Sequence, residues 1–520
     1  MFLVKSSTNA TIICNCDCIN FFSGLKEADN FIFTENGAVA KKSTLNALAD
    51  LFGLGAAYRS RSEEDCIFLF KKAYNENPLY ALKCLFYLAD IRGGQGERRF
   101  FRVCARWLAA HDKDAMKRNL IHIPEYRRWD DLLIFIGTDL EKDALEIIKN
   151  QLALDVQSTT PSLLAKWLPS ENTSSKKTRA AGAIVRKYLG FTSRQYRKML
   201  SVLRARINVL ERLMSEGRWD EIEFDKIPSK AGLKYKNAFA RHDVERMKNA
   251  ATNVQSYADF AKDETKTVNA KDLYPYEVVA KALNSNGWNY QELSDTDRAI
   301  VNKYWDNMTD YFADATFNGL AVVDTSGSMD GYDAAAPINV AISLGMYCAE
   351  RAKGPFAGHY VSFSSRPQLI KVDGVDFVDK VRRIYATRLV ENTNIEATFA
   401  LLLTTAIRNN CSQDDLPQNI VVISDMEFDA ARGMWLSAST PQETLMEGIE
   451  KQWAAAGYKM PNLIFWNVNG RHDNFAMTMK NGISFVSGMS PSIFKQLMTG
   501  KTAMDLIYET LDSERYAAIG

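Results

Sequence analysis

Nowhere in the 520 residues does an uninterrupted apolar run reach the ~18 residues that a membrane-spanning helix needs. The opening stretch, MFLVKSSTNATIICNCDC, lacks the basic segment, apolar run and small-residue cleavage site of a secretory leader. These absences predict a soluble cytoplasmic protein with no membrane partner. Cysteine is scarce, and eight in so long a chain exclude a disulfide scaffold. Cys66, Cys84, Cys104, Cys348 and Cys411 stand singly and are expected as reduced thiols, mostly in the core. Cys14, Cys16 and Cys18 alternate and would share one face of a strand. No CxxC pair or nearby fourth ligand completes a zinc site there. Catalytic signatures are missing as well. GGQG at 93–96 is not followed by the GK[ST] of a phosphate loop, no GxSxG elbow occurs, and none of the five histidines has a triad context.

What is present is ordinary globular text, 46% hydrophobic and 24% charged, long enough for two or three domains. From 43 to 260 it reads as successive amphipathic helices. Ser43 and Thr44 are candidate caps of the first, Ser62 of the second, and Pro78 and the Gly93–Gly94 pair break the run. Helices joined by short turns predict paired-helix stacking of the HEAT type, although no clean period repeats. Residues 1–42 form a separate segment in which a strand is expected. The polar stretch 261–315 reads as a junction packing on the helical part. From 316 to 520 strands and helices alternate, beginning with GLAVVDTS, which predicts a doubly wound α/β domain. The fold class expected is therefore multidomain, a helical-repeat region followed by an α/β domain.

Charge divides along the same line. Residues 316–520 hold 17 basic and 22 acidic residues, net −5, and the rest 47 and 41, net +6. Ten basic residues and no acidic one lie between Lys176 and Arg206: Lys176, Lys177, Arg179, Arg186, Lys187, Arg194, Arg197, Lys198, Arg204 and Arg206. Thr192 and Gln195 make a capping box for the helix that follows. Tyr196, Met199, Leu200, Leu203, Ile207 and Leu210 form its apolar stripe, with Arg194, Arg197, Lys198 and Arg204 to one side. A merely solvated face would intersperse acids, so this run predicts a phosphate-binding surface. DIRGGQGERR adds Arg92, Arg98 and Arg99, with Arg102 beyond, and glycines expected to expose backbone N–H groups; Arg127 and Arg128 are expected to extend the surface.

The segment AVVDTSGSMDG sets Asp324, Ser326 and Ser328 at alternate positions after a strand. In an open α/β sheet, ligands bind beyond the carboxyl ends of the strands. One carboxylate and two hydroxyls suit a hard cation such as Mg²⁺. Thr393 before a helix and Asp425 after the strand NIVVIS are expected at the same edge. A haloacid-dehalogenase reading needs a second aspartate two residues after the first, where Ser326 stands, so a binding site is expected rather than an enzyme. The DxSxS motif resembles that of the von Willebrand factor A domain. The resemblance implies a metal-ion-dependent adhesion site (MIDAS), with Asp324, Ser326, Ser328, Thr393 and Asp425 holding Mg²⁺ or another divalent cation directly or through water.

With DIRGGQGERR, IPEYRRWDDLL and LAKWLPSENTSSKKTRAAGAIVRKYLG, the chain is similar to the Ro autoantigen (TROVE) family, in its plant and large-virus branch. The resemblance implies a ring or arc of HEAT-like repeats closed by an A-type domain, and a ribonucleoprotein that binds small structured or single-stranded RNA. The alternative is an assembly module that captures an acidic residue of a protein partner at its metal site.

Overall fold

The computed structural model describes residue 26 and residues 29–249, 254–286, 289–312, 317–331, 333–363, 366–388, 394–430, 444–477, 479–497 and 502–520. The alternating cysteines and Thr393 lie outside these residues.

Local signals in the sequence start the helices of the first part. Helix α1 (Ala47–Leu54) is capped by Asn46, which accepts from the Ala49 amide. Ser43 and Thr44 do not cap it; their hydroxyls donate to the buried Asp50 carboxylate at 2.5 and 2.6 Å. Ser62 caps α2 (Glu63–Glu76), and Asn77 caps α3 (Pro78–Ala89), with Pro78 in the first turn, where its missing N–H costs nothing. Glu97 caps α4 (Arg98–His111). Helices α5 (Glu141–Gln157), α6 (Lys176–Tyr188), α7 (Ser193–Arg206) and α8 (Ser229–Arg241) follow. The Thr192/Gln195 capping box is formed, and α7 buries Tyr196, Leu200 and Leu203.

The stretch expected as a polar junction contains α9 (Pro275–Leu283), the short ladder of β3 (Ser285–Asn286) with β4 (Asn289–Tyr290), and α10 (Asp295–Asp306). It packs on both parts of the molecule, not on the helical part alone. On one side Lys236 pairs with Asp297, and Ser229 Oγ donates to Asn269 Oδ1 at 2.8 Å. On the other, Arg298 grips both oxygens of Asp376 at 2.6 and 2.7 Å, and Trp305 stacks on Phe377 with ring centroids 4.2 Å apart.

The last part is built on a six-stranded sheet in the order β10-β9-β8-β5-β6-β7. Strands β5 (Gly319–Asp324), β6 (His359–Phe363), β8 (Asn419–Ser424), β9 (Asn462–Asn467) and β10 (Ile483–Ser487) run parallel; the edge strand β7 (Gln368–Lys371) pairs antiparallel with β6. Every residue of β5 and β10 is buried, the pattern of strands covered on both faces. Helices α11 (Pro337–Arg351), α12 (Phe377–Thr387), α13 (Ile395–Arg408), α14 (Leu445–Ala455) and α15 (Ala503–Leu511) accompany it. The chain proceeds from β5 to β6 on one side and returns to β8 on the other. The gap between β5 and β8 is therefore the switch point where such sheets bind ligands. No described helix is long and apolar enough to cross a membrane.

Each end of the described chain is fastened to the other part. Strands β1 (Phe31–Phe33) and β2 (Val39–Lys41) form a hairpin, and Lys41 exchanges both backbone hydrogen bonds with Phe475 at 2.8 Å. Thr34 Oγ1 donates to the Phe428 carbonyl at 2.6 Å. At the other end Arg515 and Tyr516 donate to the fully buried Asp90, and the Gly520 backbone bonds to the Asn119 side chain at 2.7 and 3.1 Å.

The GGQG loop lies against this tail, with Arg515 beside Gly93. The amides of Gln95, Gly96 and Glu97 are spent on the carbonyls of Tyr87, Asp90 and Leu88. A Cβ on Gly94 would stand 1.9 Å from the Tyr87 carbonyl oxygen, so the close approach of two backbone segments requires glycine there. Gln95 is buried and accepts from the Ser490 amide at 3.2 Å. Arg515→Ala leaves Asp90 without its cation and is expected to cost about 3 kcal/mol, the lower end for breaking a buried pair. A fall in the urea midpoint, with faster proteolysis of residues 502–520, checks this.

Candidate functional site

The parallel register of β5 and β8 pairs Val323 with Ile423, so Asp324 and Ser424 end their strands side by side. Ser424 Oγ donates to Asp324 Oδ2 at 2.5 Å, and the Ser326 amide donates to Asp324 Oδ1 at 2.9 Å. Ser326 Oγ lies 3.0 Å from Ser328 Oγ, and Ser328 in turn hydrogen-bonds Asp425. The structure thus brings Asp324, Ser326, Ser328 and Asp425 together. Burial, then the charge of Asp425, pushes the Asp324 carboxyl up to about 7. Asp425 is also raised by burial, against the opposing pull of Arg471. Two buried carboxylates lined by hydroxyls are a hard-oxygen donor set whose mutual repulsion a divalent cation would relieve, so these residues fit such an ion.

Arg471, which sequence reasoning missed, shares this site. Its Nη2 lies 2.9 Å from Asp425 Oδ2 and its Nη1 2.9 Å from Glu35 Oε2. Asp330, next to the motif, pairs with Arg388 at 2.9 Å. Beyond Asp425 the chain turns through Met426 at φ 66°, uncommon for a residue with a side chain. That turn carries Glu427, fully buried, against the N-terminal hairpin: Glu427 Oε2 accepts from the Glu35 amide at 2.7 Å. DMEFD gave no sign of this role, because its partners lie some 390 positions away.

The expected basic surface divides into exposed and internal groups. Lys176, Lys177, Lys187, Arg194, Arg197 and Lys198 are exposed. Arg179 caps the carbonyls of Thr173 and Ser174, and Arg186 is held by Glu171 at 2.8 Å. Arg204 is half-buried, donating to the carbonyls of Ala165 and Leu168 and to Ser170 Oγ, each at 2.9 Å, so it holds a loop at the wall of the cleft beside α7. Arg98 and Arg102 pair with Asp130 and Asp131, Arg92 is exposed and donates to the Glu125 carbonyl, and Arg99 reaches the Cys66 sulfur. Arg127 is not on the surface; it is 3% exposed and bound to Asp131 and the Ala89 carbonyl. A cleft of about 1080 Å³ opens beside α7, lined by Arg128, Lys166, Trp167, Arg197, Arg212, Lys230 and Lys234 among others. Arg128 stands over the Trp167 ring, 4.2 Å from its centroid.

A helical region joined to a doubly wound α/β domain, with an oxygen cluster at the sheet's switch point, is the class of protein that this fold and site define. Two domain models match the chain. One is described as Domain of unknown function (DUF2828), over residues 34–125 and 155–316; the other as Domain of unknown function (DUF7788), over 318–517. The chain is 31% identical over 509 residues to "Uncharacterized protein L728" of Acanthamoeba polyphaga mimivirus, covering 91% of this chain and 85% of that protein. It belongs to the same family as that viral protein. The crystal structure of the Deinococcus radiodurans RO (RSR) protein overlaps 91% of this chain and 100% of its own at 13% identity, with a TM-score of 0.37, an overlap too loose to define a fold or a ligand.

Asp324 makes the site pH-sensitive. The carboxyl titrates at about 7 when folded and near ~3.9 when unfolded, so the native state binds the extra proton between those values. Without divalent ions, stability is expected to fall as pH rises from 4 to 7. Asp324→Asn should flatten that fall, and denaturation midpoints across the range check it.

Proposed function

We propose that this is a non-enzymatic RNA-binding protein of the Ro ribonucleoprotein kind. Its helical part acts as a HEAT-like ring or arc, and its α/β domain, of von Willebrand A type, holds Mg²⁺ or another divalent cation. The observation that carries the reading is the run of exposed cations on α6 and α7: Lys176, Lys177, Lys187, Arg194, Arg197 and Lys198 follow one another without one acidic residue between them. Phosphates are the ligand such a run attracts, and the released counterions drive the binding. Arg197 belongs both to this run and to the adjoining cleft, whose lining includes Trp167, Tyr235 and Tyr274, rings that unstacked bases would share with the Arg128, Lys234 and Lys230 cations standing over them. Single-stranded RNA meets both requirements, a backbone along the run and bases in the cleft.

Asp324, Ser326, Ser328 and Asp425, with Thr393, are the residues that would hold the cation. The cation would neutralise the buried acid pair and stiffen the switch-point loops. Asp324, Ser326 and Asp425 are at most 2% exposed, which favours an internal role over capture of a partner's acidic side chain.

Binding of a single-stranded RNA oligomer, followed by filter retention across a salt series, tests the reading. The triple change Arg194→Glu, Arg197→Glu and Lys198→Glu is expected to weaken binding at least ~10-fold and to flatten the log–log salt slope by about 2, from ~0.7 per phosphate contact on single strands. Absent or salt-insensitive binding by the unaltered chain defeats the proposal.

A further inference from the structure

We propose that Glu35, Glu427 and His472 form a cation site distinct from the DxSxS cluster, suited to a transition-metal ion of the zinc type, that pins the N-terminal hairpin to the α/β domain. One donor atom from each residue lies within 4.8 Å of the other two. Glu427 Oε1 is 3.0 Å from His472 Nδ1, near the ~3.3 Å that separates two ligands on a tetrahedral ion with bonds of ~2.0 Å. The carboxylate of Glu427 is fully buried. Its neighbours are the Glu35 amide, the Asn474 amide group at 2.9 Å and the His472 imidazole. Arg471, the nearby guanidinium, is directed to Asp425 and Glu35 instead.

A second observation points to a ligand at the same place. Asn474 is 2% exposed, and its Oδ1 has no hydrogen-bond partner. Oxygen and nitrogen of an amide are exchanged by a half-turn of the group. In the exchanged orientation Oδ1 takes the place of Nδ2 beside Glu427 Oε1, where a cation held between the two oxygens would reconcile them. Binding would require Nδ1 of His472 without its proton, which the half-exposed ring can carry on Nε2.

The donor chemistry separates this site from its neighbour. Asp324, Ser326, Ser328 and Asp425 offer oxygen alone, the preference of Mg²⁺, whereas an imidazole with carboxylates suits Zn²⁺. Glu35 comes from the hairpin, Glu427 from the loop after β8 and His472 from the loop after β9. An ion here would join the beginning of the chain to two loops of the distant sheet.

The test is Zn²⁺ titration calorimetry on the full chain with Cys14→Ser, Cys16→Ser and Cys18→Ser, so that no clustered thiols compete. With Mg²⁺ in excess to fill the DxSxS cluster, one zinc ion per chain is expected. Its affinity should fall at least ~10-fold in His472→Ala and in Glu35→Gln, changes at exposed residues that spare the core, and stay within about twofold in Asp324→Asn. X-ray absorption of the bound zinc should show nitrogen and oxygen neighbours with imidazole scattering and no sulfur. Hydrogen exchange at the Lys41 and Phe475 amides should slow with Zn²⁺ in the parent and not in Glu35→Gln. No stoichiometric binding, binding indifferent to both changes, or loss in Asp324→Asn alone overturns the proposal, and none of these outcomes bears on RNA.

Discussion

A carboxylate taken wholly out of water must be answered by donors or by a cation, and the long-range architecture of this protein is organised around a few that are. Asp90 collects Arg515 and Tyr516, Asp131 collects Arg98, Arg102 and Arg127, and Glu427 collects the backbone and side chains of two distant segments. Hydrophobic burial makes each part compact, but it is not directional. These acids supply direction, since each accepts hydrogen bonds in one geometry from one set of partners. That is how the hairpin of residues 31–41 and the segment 515–520 find fixed seats.

The same rule governs the switch point. Asp324 and Asp425 are adjacent because parallel pairing sets the ends of β5 and β8 side by side, and burial makes that proximity unfavourable unless it is compensated. Ser424, Ser326 and Arg471 supply part of the compensation. Arg471 carries the electrostatic work one step outward to Glu35, so the switch point and the hairpin share one charge network.

Much of this was legible in the sequence wherever the signal is local. Ser62 and the Thr192/Gln195 box announced helices, because a cap acts within four residues. GLAVVD and NIVVIS announced buried parallel strands, because both faces are covered. The rule that ligands sit beyond strand ends then brought Asp324 and Asp425 together. Partners set by tertiary contact were not legible. Arg204 lies on the same helix as Lys198, yet its guanidinium is claimed by carbonyls near Ala165 that no periodicity reveals. GGQG read as an open loop because glycine serves close backbone packing as readily as ligand approach. The caps Ser43 and Thr44 were misread because Asp50, six or seven residues on, takes their hydroxyls first.

The hairpin at the start of the chain has a consequence in time. Its partners Phe428 and Phe475 come roughly four hundred residues later, and the Thr34 contact alone spans 394 positions. At ~5–20 residues per second, a ribosome needs on the order of 20–80 s to deliver them. Through that interval β1 and β2 present an edge with nothing to pair against. The helical region can pack as it emerges, but the hairpin has to wait for the loops after β8 and β9, and β10 and α15 still follow them in the chain.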